Sequence, residues 1–258
     1  MDSNSNIKEN VKQKYGQIAK GERDVIPSIS SCCSPSACSC GDSPVYVDMS
    51  TRYNDVDRSV IPDGADLGLG CGTPAAYAEL KEGMTILDLG SGAGIDCFVA
   101  SKYVGNSGKV IGVDMTEEMV RKANENKAKV NVSNVEFRLG EIENLPIEND
   151  AIDRVISNCV INLVPDKVKA FNEIYRVLKD GGKFTVSDIV VDGVISEKER
   201  RDAVLWAGCI SGALGRNEYF DIIKRSGFRN VAILSEKKYD YTLESGGGLY
   251  SITVTGTK

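Results

Sequence analysis

The stretch Met84-Thr85-Ile86-Leu87-Asp88-Leu89-Gly90-Ser91-Gly92-Ala93-Gly94 decides the fold. Its first half is a short apolar run of the kind buried in a parallel sheet. Its second half sets Gly90, Gly92 and Gly94 at alternate positions, where a helix opens. Glycines let the backbone turn tightly and approach a ligand closely, and a helix N-terminus offers free N–H groups. Lys109–Val113 is the next predicted strand, and Asp114 follows it, twenty positions after Gly94. A carboxylate there can accept hydrogen bonds from both hydroxyls of a ribose. The loop alone fits a nicotinamide or flavin cofactor as well as a nucleoside one. A lone glycine triplet is a weak signal, but strand, helix and acid in register make a bare connecting turn the poorer reading.

Outward from this stretch the pattern is strand, helix, strand, repeated. Val135–Leu139, Ala151–Ser157 and Lys183–Ile189 read as further strands. Helices are predicted from Gly94 to Gly105, from a Thr116 cap, from Pro165 to Lys179, from the Ser196-Glu197-Lys198-Glu199 capping box through Leu205 and Trp206, and from Glu218 to Ser226. Val231–Leu234 and Tyr250–Val254, joined through Gly246-Gly247-Gly248, read as a closing hairpin. The alternation predicts an α/β chain with an open, mostly parallel sheet, a C-terminal antiparallel hairpin strand and helices on both faces. Upstream, Ile7, Val11, Tyr15 and Ile18 share one helical face, and 28–44 is rich in Ser, Cys, Pro and Gly. Residues 1–74 are therefore read as a helix and Cys-rich extension packing on a main domain at 75–258.

The chain has 258 residues, a formal charge of −6 and a pI near 5.0, a balance against an electrostatic nucleic-acid binder. No apolar run approaches the roughly 20 residues that span a bilayer. The N-terminus lacks the apolar core of a signal peptide. These features predict a cytoplasmic protein without nucleic-acid or membrane partners, in a compartment that keeps thiols reduced.

The sequence holds eight cysteines and no histidine. Base chemistry near neutral pH usually falls to histidine, so the soft thiol is the more informative group. Cys159 follows the fourth strand, at the carboxyl end that faces a ligand crevice in such sheets. Cys209 lies after the fifth strand between Gly208 and Gly212. Position alone leaves a buried structural thiol an even match at both. Cys71, between Gly70 and Gly72, reads as exposed, and Cys97, beside Phe98, as core. Cys32, Cys33, Cys38 and Cys40 do not match the usual zinc spacing, and a thiol-rich mobile tail competes with any functional reading.

Taken together, these segments resemble a known family. The G-x-G-x-G spacing with Asp88 inside the strand resembles the Rossmann-like class I methyltransferases, which use S-adenosylmethionine. That resemblance implies cofactor contacts at Asp88, Gly90, Ser91, Gly92, Gly94, Asp114 and Met115. Gly140-Glu141-Ile142-Glu143-Asn144-Leu145-Pro146 resembles the family's adenine-side motif, which adds Ile142 and Glu143, and Asn158 closes the set. More specifically, Gly70-Cys71-Gly72, Ser157-Asn158-Cys159-Val160-Ile161-Asn162-Leu163 and Cys209-Ile210-Ser211-Gly212-Ala213-Leu214 resemble arsenite methyltransferases. That family implies arsenite or methylarsenite as substrate, with trivalent arsenic held by Cys159 and Cys209 in a segment reaching about 191–226. It implies that Cys71 cycles through a disulfide with an N-terminal cysteine, which has several candidates here; spacing from Tyr15-Gly16 favours Cys32 or Cys33, and Cys71 or an N-terminal cysteine serves as third ligand or redox partner. Thioredoxin or glutathione would reopen that disulfide.

Arsenic(III) bound by thiolates keeps a lone pair that carries no proton, so attack on a sulfonium methyl needs no general base. That chemistry suits a chain without histidine. Two other readings use the same residues: a methyltransferase for a small organic acceptor, and a non-catalytic metalloid or zinc binder on this fold.

Overall fold

A computed structural model describes residues 3–22, 53–201, 210 and 212–258. Strands β1 (Thr85–Leu89), β2 (Lys109–Asp114), β3 (Val135–Leu139), β4 (Ile152–Asn158) and β5 (Leu178–Asp192) pair in parallel in the order β3-β2-β1-β4-β5. A short strand, β6 (Leu214–Gly215), runs parallel to the end of β5. Beyond β5 the sheet turns antiparallel through β8 (Gly248–Thr257) to β7 (Arg229–Thr242) at the edge. The strand order reverses between β1 and β4. Their carboxyl ends, Leu89 and Asn158, therefore flank the crevice where open α/β sheets bind ligands.

The central strands are apolar because helices cover both faces. Leu87, Val113, Val155 and Val186 face α6 (Lys167–Val177) and α8 (Arg216–Arg225), whose Phe171 and Tyr219 are wholly buried. Ile86, Val110 and Ile156 face α4 (Ile95–Val104), with Cys97 among them. The core expectation for Cys97 is met. Tyr53, Ala75 and Ala78 join that second layer, so α2 (Asp55–Arg58) and α3 (Pro74–Tyr77) belong to a segment packed into the main core.

Phe171 meets the rings of Phe184, Tyr219 and Phe228 edge-on at 5.7, 5.8 and 6.4 Å. Replacing it with alanine removes all three contacts and leaves a cavity. Phe171→Ala is expected to lower stability by about 3–5 kcal/mol in urea unfolding. A loss below about 1 kcal/mol would show that the core collapses around the gap.

The sequence-based elements need three corrections. Strand β7 continues from Leu234 to Thr242, because pairing with β8 carries it through the charged, exposed Glu236-Lys237-Lys238 to Tyr239, which is buried. Likewise β5 begins at Leu178, straight after α6, and β6 carried no signal in two residues. Thr116 does stand at the start of α5 (Glu117–Val130), yet its hydroxyl serves Asp114 rather than the helix backbone. The capping box, by contrast, forms at α7 (Glu197–Arg201). Ser196 N–H donates to Glu199, and Glu199 N–H donates to the Ser196 hydroxyl. Cys32, Cys33, Cys38, Cys40, Leu205, Trp206 and Cys209 lie outside the described residues. Among the described residues no helix is long and apolar enough to cross a membrane.

Candidate functional site

A cavity of about 340 Å³ opens at the carboxyl ends of β1, β2 and β4. Its floor is the loop after β1. Gly90 and Gly92 adopt φ of +63° and +51°, the left-handed region that side chains resist. The tests for a side chain differ at the two positions. A Cβ at Gly90 would press to 2.5 Å from Val160, whereas at Gly92 nothing lies within 4 Å. The loop is tied to β2 by Gly90 and Ser91 N–H groups donating to the Val113 carbonyl, at 2.8 and 3.1 Å. Ser91 belongs to the cavity lining, but its hydroxyl is buried beside Gly112 of β2 and meets no partner among the described residues.

Asp114 ends β2 on the cavity wall. Its two oxygens accept from Gly92 N–H and Thr116 N–H, each at 2.9 Å. Burial raises its carboxyl above the ordinary value, although these hydrogen bonds oppose the rise. Met115, Ile142, Glu143 and Asn158 also reach the wall. Glu143 pairs there with Lys8 at 3.1 Å, across from α1 (Ser3–Ala19), whose Val11 and Tyr15 close that side.

Two expected cofactor contacts stand behind the loop instead. Asp88 points away from the cavity and accepts from the Cys97 thiol at 3.2 Å. Burial, with Asp96 beside it, pushes its carboxyl well up. Strand alternation explains this, since Ile86 and Asp88 share the face under α4. Gly94 caps α4 with φ +96°, where a Cβ would meet the Phe137 ring at 2.7 Å.

Asp96, in the first turn of α4, is a wall residue that the sequence reading missed. It accepts from the Tyr53 hydroxyl and from Asn158 Nδ2, the latter at 3.1 Å. Burial lifts its carboxyl to about 6, against both hydrogen bonds. A carboxylate one turn beyond a glycine loop was the available signal.

Cys159 also lines the cavity. It follows β4 directly with φ +60°, rare for a residue with a side chain, and its N–H donates to Ser187 C=O at 2.7 Å. The chain turns sharply there into a short helical turn at Ile161–Leu163. Cys159 is only 2% exposed. Cys71 is 1% exposed, which corrects the expectation of an open turn. Its flanking glycines allow close docking rather than exposure. A Cβ at Gly70 would lie 2.7 Å from Asn158 Nδ2, and one at Gly72 would lie 2.2 Å from Ser187 Oγ.

Cys71 and Cys159 share one apolar cluster with Leu163, Ile189, Ile210 and Ala213. Behind the pair, the buried Tyr219 phenol donates to Asp188 at 3.3 Å and lies within electrostatic reach of both thiols. Burial holds that phenol well above its ordinary range. Cys209, outside the described residues, precedes Ile210 in sequence. Among the described residues no group of three Cys, Asp or Glu side chains could hold a metal ion.

A family model for a methyltransferase domain matches residues 80–247, which hold the loop, Asp114, Asn158 and Cys159. The chain belongs to the methyltransferase domain family. Within it, the chain is 39% identical over 265 residues to an arsenite methyltransferase of Halobacterium salinarum, covering 97% of this chain and 66% of that relative. The human arsenite methyltransferase is 37% identical over 231 residues, covering 86% of this chain and 58% of its own length. The present methyltransferase domain thus spans somewhat less than two thirds of the curated relatives it matches. Among solved structures it resembles an arsenic(III) S-adenosylmethionine methyltransferase of Chlamydomonas reinhardtii. That match has a TM-score of 0.68 and 34% identity, covering 80% of this chain and 71% of the other.

The methyltransferase cavity suits the cofactor that its loop implies. The open space at Gly92 and the carboxylates of Asp96 and Asp114 favour a ligand with hydroxyls and positive charge.

Proposed function

We propose that this chain transfers a methyl group from S-adenosylmethionine to thiolate-bound arsenic(III), as an arsenite methyltransferase. One observation carries the reading: Cys159 sits on the cavity wall beside the glycine loop, and Cys71 lies in the same buried cluster. Soft thiolates suit soft metalloids, and hard oxygen ligands do not. Cys209 would complete the set with Cys159, and Cys71 would be the third ligand or the redox partner.

When bound, S-adenosylmethionine supplies an electrophilic methyl on a sulfonium. Asp114 would hold the ribose, the loop 90–92 the amino-acid part, and Met115, Ile142 and Glu143 the adenine side. Asp96 adds a negative charge to the wall that a cationic ligand would meet. The thiols fix the lone pair on arsenic toward the crevice, and no residue has to remove a proton. Positioning alone can supply about 7–11 kcal/mol of a barrier. Methylation takes arsenic from the trivalent to the pentavalent state. A dithiol made of Cys71 and either Cys32 or Cys33 would return two electrons by closing a disulfide. Thioredoxin or glutathione would then reopen it.

The test is formation of S-adenosylhomocysteine by the reduced chain. Product that requires arsenite supports the reading. Product formed equally without arsenite, from a small organic acceptor, overturns it.

Cofactor affinity should also depend on pH through Asp96. Its carboxyl titrates near 6, above its ordinary value, so it is neutral below that pH and negative above it. A cationic ligand favours the ionised form. Affinity measured calorimetrically should therefore fall as pH drops from 7 to 5. In Asp96→Asn affinity should be weak at pH 7 and lose most of that slope. A steep slope retained in the variant would assign the titration to another wall group, such as Asp114.

A further inference from the structure

We infer that Asn158 is a positioning residue, whose amide fastens the Cys71 turn to the crevice and so sets where Cys71 stands relative to Cys159. The contacts come from one side chain. Asn158 Oδ1 accepts from Cys71 N–H at 3.0 Å and Gly72 N–H at 3.1 Å. Asn158 Nδ2 donates to Gly72 C=O at 2.8 Å and to Asp96 Oδ2 at 3.1 Å. Three backbone groups of the turn are thus engaged by an amide 86 and 87 residues away in sequence. Only an amide can accept and donate in this way from one short side chain.

The anchor itself is rigid. Asn158 ends β4 in register with Ser187 of β5, and Cys159 is the next residue. Its Nδ2 is held from the other side by Asp96, which is fixed in turn by the Tyr53 hydroxyl. The turn has a second tie, the Ser251 hydroxyl donating to Cys71 C=O at 2.7 Å. Cys71 therefore hangs between the end of β4 and the middle of β8. The side chain placed with the cofactor contacts by its sequence position also spends its polar atoms on the cysteine turn.

Gly70 gives the inference its sharpest test. A Cβ there would sit 2.7 Å from Asn158 Nδ2 and 3.1 Å from Asn158 Oδ1, so alanine must displace the amide. Backbone amide exchange, followed by mass spectrometry, reads the Cys71 and Gly72 N–H groups directly. Loss of these bonds in Asn158→Ala should speed exchange at both amides by about tenfold or more, with β1 and β5 unchanged. Gly70→Ala should act the same way in the native background and add little to Asn158→Ala, because both remove one interaction. Alkylation of Cys71 by N-ethylmaleimide, measured against buried Cys97, should accelerate in both single variants.

Three outcomes would overturn the inference. One is unchanged exchange at Cys71 and Gly72 in Asn158→Ala, with only S-adenosylhomocysteine affinity reduced. Another is faster exchange spread equally over β1 and β5. The last is full additivity of the two substitutions.

Discussion

Cys159→Ser is expected to lower arsenic methylation by about a hundredfold or more while leaving S-adenosylhomocysteine affinity within about twofold. The two halves of this expectation have separate causes. Serine keeps the small side chain at φ +60°, so the turn after β4 is no more strained than before. What it loses is the soft donor, since an oxygen ligand neither captures nor orients trivalent arsenic as a thiolate does. A buried hydroxyl costs about 1–3 kcal/mol, which a thermal melt would register as a modest shift. Cys209→Ser is expected to give the same kinetic result. If both variants instead lose cofactor affinity, these cysteines support the fold of the crevice, and the arsenic reading of them fails.

Asp114→Ala should weaken S-adenosylhomocysteine binding by about a hundredfold, because two charge-assisted hydrogen bonds to a ribose are worth about 1.5–3 kcal/mol each before cooperative losses. The structure adds a second source for the effect. Asp114 holds Gly92 N–H at 2.9 Å and Thr116 N–H at 2.9 Å, so its removal also frees the loop from the end of β2. The side-chain amide in Asp114→Asn would retain an acceptor for one of these N–H groups but not the charge. That variant should bind between the native chain and the alanine variant. Calorimetry measures both. Unchanged affinity in Asp114→Ala would remove Asp114 from the cofactor site.

The parallel half of the sheet was legible because buried strands are written as apolar runs and their crossovers end in glycine. The same rule hid the charged middle of β7. Glu236-Lys237-Lys238 has no buried face, and only pairing with β8 makes it a strand. At the site, Asp114 and the loop glycines could be read from spacing, since they lie on one strand–helix–strand unit. Asp88 misled because a carboxylate next to a glycine loop looks like a ligand contact, whereas the pleat turns it toward Cys97. Cys71 misled for a different reason. Its burial is imposed by Asn158 and by Ser251, 180 residues downstream, and nothing in Gly70-Cys71-Gly72 records those partners. Asp96 and the α1 side of the cavity were likewise set by tertiary contact, through Tyr53 and the Lys8–Glu143 pair.

The most direct measurement is arsenic speciation by chromatography with mass-spectrometric detection. The reduced chain is incubated with S-adenosylmethionine, arsenite and a thiol reductant. Methylated arsenic that requires both chain and cofactor, and that disappears in Cys159→Ser, is the predicted result. Arsenic that stays unmethylated while the cofactor binds would contradict it and move the acceptor to a small organic molecule.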